Sequence, residues 1–180
     1  MPQAQISGGA EPDKLAYDAQ VRAAWASKRL SDSTRLNTGR VDQEQLFATT
    51  PTRTYAVAAT RRGWRKCADG SEQRVTVTNL GAVAPNAGGH THPIGKAGDI
   101  LAELLGPDDG AMARATGKPA YVISRRRAFA VERTPAGIFS IRVVAGAAFS
   151  KRELKVLDEQ TRLWARTRGV GDVTCQFIAD

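Results

Sequence analysis

The chain has 180 residues, 42% of them hydrophobic, and a formal net charge of +8 with a pI near 10.0. That length and apolar content suit one globular domain with a buried core. No run approaches the ~18 uninterrupted apolar residues of a membrane helix.

The N-terminal stretch MPQAQISGGAEPDK lacks a basic patch followed by an apolar run, so no secretory signal is expected. Residues 1–11 read as a disordered leader to a single domain spanning 12–180. From Pro12 to Leu30, the spacing of Leu15, Ala19, Ala23 and Ala26, with Val21 and Trp25, predicts an amphipathic helix. Leu46 to Thr49 and Thr54 to Thr60 are rich in β-formers and flank Pro51, which predicts two short strands. Gly63 and Asp69-Gly70 mark turns, and Arg74 to Asn79 alternates as a half-buried strand does. The turn-rich GAVAPNAGGHTHPIGKAG follows, then helical spacing over Asp99–Leu105 and Asp108–Thr116, ended by Gly117. Pro119–Ser124, Ala128–Glu132 and Ile138–Val144 predict three strands. Ser150 with Glu153 forms a capping box for a helix reaching Arg168, with Leu154, Leu157, Leu163 and Trp164 as its buried stripe. A last strand is expected over Val173–Ile178. The sum is an α+β domain with a mostly antiparallel sheet flanked by helices.

The excess charge sits in clusters such as Arg61-Arg62, Arg65-Lys66 and Arg125-Arg126-Arg127. A balance of this kind attracts nucleic acid, an anionic membrane surface or an acidic partner. Only Trp64 interrupts a basic cluster, so no stacking platform for nucleic acid is formed, and a solvated basic surface is the simpler expectation. The two cysteines, Cys67 and Cys175, cannot make a four-ligand zinc knuckle. They could pair in an oxidising compartment and would stay reduced in a cytosol, and the sequence leaves the two open.

Both histidines of the chain lie in GGHTHP. On an extended segment His90 and His92 share a face, with Thr91 on the other. Their Cβ atoms would be about 6.6 Å apart, and two such imidazoles can converge on one ion through Zn–N bonds of ~2.1 Å. Gly88 and Gly89 are expected to let the backbone bend and to leave room above the site. A catalytic zinc needs a third protein ligand and an open position. Asp99, Asp108 and Asp109 are the acidic candidates that follow.

HTHP followed by Gly106-Pro-Asp-Asp109 resembles the motif of the JAMM (JAB/MPN) metalloproteases: an upstream Glu, His-Ser/Thr-His-Pro, then Ser-x-x-Asp. The run DDGAMARATGKPAYVIS is similar to the corresponding stretch of bacterial JAB-like domains found in polymorphic toxins and secreted effectors. The resemblance covers roughly Leu36 to Gly146 and is carried by these two stretches. It implies a JAB/MPN-like, cytidine-deaminase-like architecture and a zinc-dependent hydrolase that cleaves a peptide, isopeptide or related amide bond in a protein or peptide substrate. It makes His90, His92 and Asp109 the zinc ligands, with Asp108 as the rival to Asp109. The upstream proton carrier maps onto Glu44, with Glu72 as the rival. Gly106 stands where the family has the serine that helps hold the oxyanion, and a backbone N–H there can replace a hydroxyl donor. IGKAGDILAELL lengthens the gap between His92 and Asp109 beyond the family's usual spacing. The resemblance further implies a bacterial domain secreted or delivered into a target cell, or else cytoplasmic, and a basic toxin would suit an acidic immunity protein. Two alternatives stay open: a nucleic-acid-targeting toxin domain, drawing on the charge, and a non-catalytic JAB-like binding module, drawing on the missing serine.

Overall fold

The computed structural model describes residues 10–28, 45–57, 61–67, 72–77, 86–92, 113, 116–136, 139–166 and 175–179. Among them are two helices, α1 (Ala10–Ser27) and α2 (Lys151–Arg166). Nine strands accompany them: β1 (Leu46–Thr49), β2 (Thr54–Ala56), β3 (Arg61–Cys67), β4 (Glu72–Val77), β5 (Ala87–Thr91), β6 (Ala120–Ile123), β7 (Arg127–Arg133), β8 (Phe139–Gly146) and β9 (Cys175–Ala179). The expected α+β class is found. Six strands form a mixed sheet in the order β2-β1-β5-β6-β7-β8, and three form an antiparallel sheet in the order β4-β3-β9. In the larger sheet β5 and β6 run parallel, and every other neighbouring pair is antiparallel. A parallel pair needs a long crossover, and residues 92–119 supply it. The helices expected over Asp99–Leu105 and Asp108–Thr116 fall on this crossover, mostly outside the described residues. Ala113 and Thr116 are helical.

Local chemistry explains most of the elements. β1 and β2 are joined by Thr50-Pro51-Thr52-Arg53, where the Thr50 amide donates to the Arg53 carbonyl at 2.8 Å and the Thr50 hydroxyl accepts from the Thr52 and Arg53 amides. The buried Thr49 and Thr54 hydroxyls are bonded across the hairpin at 2.8 Å. At the start of α2 the Glu153 amide donates to the Ser150 hydroxyl and the Ser150 amide donates to the Glu153 carboxylate, both at 3.1 Å. This is the capping box the sequence announced. β5 is different. Ala-Gly-Gly-His-Thr has little strand propensity, yet it is hydrogen-bonded on both edges, to β1 and to β6.

Alternation along β6 and β7 divides the core between the two faces of the larger sheet. On one face Tyr17, Val21 and Ala24 of α1 pack with Phe47, Tyr121, Ile123, Ala128, Ala130 and Val144. On the other, Ala113, Ala120, Val122, Phe129, Val131 and Phe139 form a second cluster. Each fully buried Val or Phe in these clusters stabilises by about 1.5–3 kcal/mol.

Two expected helix stripes are rotated. In α1, Leu15, Ala19, Ala23 and Ala26 are exposed, while Val21 is buried as expected, together with Tyr17, Asp18 and Ala24. In α2, Leu157 is buried as expected but Leu154 is exposed, and Glu153 is inside. The side chains of Leu163 and Trp164 lie outside the described set. The reason is the same in both helices: the buried face contains a carboxylate, and a search for apolar spacing passes over it. The basic-surface expectation also fails at Arg127, which is fully buried at the start of β7.

Candidate functional site

β5 carries the histidines to the C-terminal end of the central parallel pair. His90 lies opposite Leu46 on β1 and opposite Val122 on β6. Just beyond, the His92 amide donates to the Ile123 carbonyl at 2.9 Å, which extends the β6 pairing past the strand end. Thr91 is fully buried between them. Its amide donates to the Gln45 carbonyl at 2.9 Å, and its hydroxyl accepts from the Gln45 amide at 2.8 Å. Thr91 thus ties the histidine segment to the residue before β1. The pair is pinned on both sides by backbone bonds, so the imidazole positions follow from the sheet.

The expected alternation holds. His90 and His92 share a face, and their Nε2 atoms are 2.8 Å apart, with ring centroids at 4.8 Å and planes inclined by 46°. His92 is 3% exposed and His90 is half-buried, so one ring is enclosed while the other borders solvent. Two nitrogens facing at this distance either share one proton or grip one cation. Ligands of a tetrahedral zinc with ~2.1 Å bonds stand roughly 3.4 Å apart. A parting of about half an ångström, within reach of small χ adjustments, would open the pair to that ion. The donor set of two imidazole Nε2 atoms converging from one strand fits zinc.

Gly89 has another role than the one expected. It points to the opposite face, where an added Cβ would lie 2.0 Å from the Tyr121 carbonyl oxygen and 2.6 Å from the Phe47 ring. It lets β5 approach Phe47 and β6 closely and does not make room above the histidines.

The other expected site residues divide as follows. Glu44, Gly106, Asp108, Asp109 and Asp99 lie outside the described residues. Glu72 belongs to β4, opposite Lys66 in the three-stranded sheet, and so is on a different sheet from the histidines. Among the described residues no group of three or more potential metal ligands is formed. Ala113 follows Asp109 by four residues. It is 1% exposed and packs with Val122 and its neighbours, on the face that His90 shares by alternation.

Sequence reasoning missed the charged groups that anchor the sheet beneath the site. The Tyr121 hydroxyl donates to Asp18 at 2.6 Å, and Arg142 donates to both oxygens of the same carboxylate. Arg142 also donates to Glu132 at 2.7 and 3.0 Å, and Lys14 donates to Glu132 at 2.8 Å. Burial, followed by the bond to Asp18, pushes the Tyr121 phenol well above its ordinary range. Burial would lower Arg142, but its bonds to Asp18 and Glu132 outweigh that and hold it firmly cationic. Tyr121 lies beside Gly89 in the parallel ladder, so this network holds the strand that supports β5. The links of Asp18 to Tyr121 and Arg142 and of Lys14 to Glu132 each join residues over a hundred apart, which no local pattern marks, while Arg142 and Glu132 are ten apart across the β7–β8 pair. Arg127 makes a second pair: it donates to both Glu153 oxygens at 2.5 and 3.3 Å and to the Ala147 and Ala148 carbonyls, with its guanidinium 4.5 Å from the Phe149 ring centre.

No family model, curated protein or solved structure matches the chain.

Proposed function

We propose that the chain is a zinc-dependent hydrolase of JAMM type, with a JAB/MPN-like domain, acting on a peptide, isopeptide or related amide bond. The observation that carries this reading is the convergence of the His90 and His92 Nε2 atoms at 2.8 Å, at the C-terminal end of the only parallel strand pair among the described residues. In open parallel sheets ligands gather beyond the carboxyl ends of the strands, and the β5–β6 pair reproduces that local arrangement. Two further observations support it. Ala113, four residues after Asp109 in the chain, packs on the histidine face. Gln45, bonded to Thr91, immediately follows Glu44 in the chain. Membership of Glu72 in the other sheet favours Glu44 over it.

In this reading His90, His92 and Asp109 hold the zinc. When bound, zinc supplies Lewis-acid polarisation and makes water acidic near neutral pH. The Glu44 carboxylate takes a proton from the attacking water and delivers it to the leaving amine. The Gly106 backbone N–H donates to the carbonyl oxygen as negative charge gathers there. The burial of His92 and the bonds that pin Thr91 confine the imidazoles, leaving only the small χ adjustment that admits the ion. A substrate carried on a protein or peptide, and a role as the toxin domain of a bacterial effector with an acidic immunity partner, complete the proposal. No helix among the described residues is long and apolar enough to cross a membrane.

Elemental analysis of the purified chain after dialysis is the direct test. About one zinc per chain is expected, with loss of the metal in the His90→Ala/His92→Ala double variant. Glu44→Gln should keep the zinc and lose hydrolysis by 10²–10⁴-fold, the usual range for a proton-transfer group. A chain that retains no zinc when the ion is supplied in excess would overturn the reading.

A further inference from the structure

The smaller sheet places the two cysteines of the chain against each other. β3 and β9 are antiparallel, and their register runs from Gly63 opposite Ala179 to Cys67 opposite Cys175. Directly opposed residues on antiparallel strands have Cα atoms about 4.5 or 5.5 Å apart, depending on which kind of pair they form. Both values fall inside the 4.4–6.8 Å range of a disulfide. Of all positions available to β9, the register chosen by five consecutive pairs is the one that brings its first residue to the last residue of β3. The chain contains no third cysteine to compete for either thiol.

We propose that Cys67 and Cys175 are joined as a cross-strand disulfide that fastens β9 to β3. The reaction is thiol–disulfide exchange with a small-molecule disulfide such as oxidised glutathione. One cysteine thiolate attacks the oxidant's disulfide, forms a mixed disulfide and releases one reduced thiol. The second cysteine attacks the mixed sulfur and releases the other. Both cysteines are oxidised by one electron each, the small disulfide gains two electrons, and the two cysteine protons end on the two released thiols.

β9 is an edge strand of its sheet and pairs only with β3 among the described residues. A cross-link there closes a loop of about 100 residues, the length at which loop-closure entropy contributes most to a disulfide. The closed loop spans β4 to β8 and α2, and therefore includes the histidine segment. A cross-link of this kind persists in an oxidising compartment, so the folded chain is suited to working there. The inference stands on strand register alone and does not depend on the hydrolase proposal.

The test uses the full chain, purified and equilibrated with excess oxidised over reduced glutathione. Denaturation in N-ethylmaleimide should give no adduct before reduction and two afterwards. Non-reducing peptide mapping should give one species containing both Cys67 and Cys175. The melting temperature should fall by roughly 10 °C on reduction, and a Cys67→Ser/Cys175→Ser variant should melt like the reduced wild type and ignore reductant. Two maleimide adducts under oxidising conditions, or disulfides found only between chains, overturn the proposal. So does a melting temperature indifferent to reductant in a chain that carries the cross-link. If the serine variant fails to fold, the adduct count and peptide map of the wild type still decide.

Discussion

Gly89 has no room for a side chain, because the Tyr121 carbonyl and the Phe47 ring occupy the space a Cβ would need. The nearer of these is backbone, which cannot swing away as a flexible side chain would. Gly89→Ala must therefore push β5 from β6 and is expected to destabilise by about 1–3 kcal/mol, the usual cost of overpacking. Thermal melting should show a drop of roughly 2–4 °C per kcal/mol for a chain of this size. Because β5 carries the histidines, the same variant should also weaken zinc retention, and an unchanged melting temperature would refute the close approach. At this scale the His-x-His pattern was legible from the sequence, since alternation needs only an extended backbone. Gly89 was read as serving the site because its true neighbours, Phe47 and Tyr121, are not adjacent in the chain.

At the scale of the element, α2 is held by one carboxylate with two tasks. Glu153 closes the capping box with Ser150 and neutralises the buried Arg127. Burial pushes its carboxyl up, but the bonds from Arg127 and Ser150 outweigh this and hold it below its ordinary range. A carboxyl whose folded pKa lies below the unfolded value of about 4.3 adds stability that is complete above that value and is lost as pH falls through the folded pKa. The unfolding midpoint should therefore fall with acidification below about pH 4–5, and Glu153→Gln should flatten that slope. Glu153→Ala leaves a buried guanidinium unpaired and should cost about 3–5 kcal/mol in denaturant titration. A cost under 1 kcal/mol would mean that solvent reaches Arg127. The capping box was readable because its two residues are three apart. The burial of Arg127 was not: Arg125-Arg126-Arg127 has the composition of a solvated patch, and only β7 turns the third arginine inward, to Glu153 and to the Ala147 and Ala148 carbonyls.

Across the whole molecule, α1 is docked to the sheet through an alternating set of charges, Lys14–Glu132–Arg142–Asp18, ending at Tyr121. Asp18 is central, since it takes bonds from Tyr121 and from both arms of Arg142. Tyr121→Phe removes one donor and leaves Asp18 bound to Arg142, so a loss of about 1 kcal/mol is expected. Asp18→Ala strands a buried hydroxyl and half of Arg142's bonds, and about 3 kcal/mol is expected. Hydrogen exchange should show α1 amides opening faster in Asp18→Ala than in Tyr121→Phe, and equal protection in the two variants would place the anchoring elsewhere. Arg127 and Arg142 are paired with carboxylates inside the fold, so these pairs are neutral and the net +8 is carried by other residues.

By itself the sequence determined what neighbours in the chain can settle: the turn at Pro51, the Ser150 cap, the extent of most strands and the shared face of His90 and His92. Each depends on backbone geometry and hydrogen bonds within a few residues. Gly63, expected in a turn, instead lies inside β3 opposite Val75 and Ala179. The tertiary structure alone decided that Ala-Gly-Gly-His-Thr is a central strand, because its ladders come from β1 and β6. It also decided which faces of α1 and α2 turn inward, and that Cys67 meets Cys175. Those outcomes rest on partners far along the chain, where a buried carboxylate or a glycine-rich strand is stable only because of what folds against it.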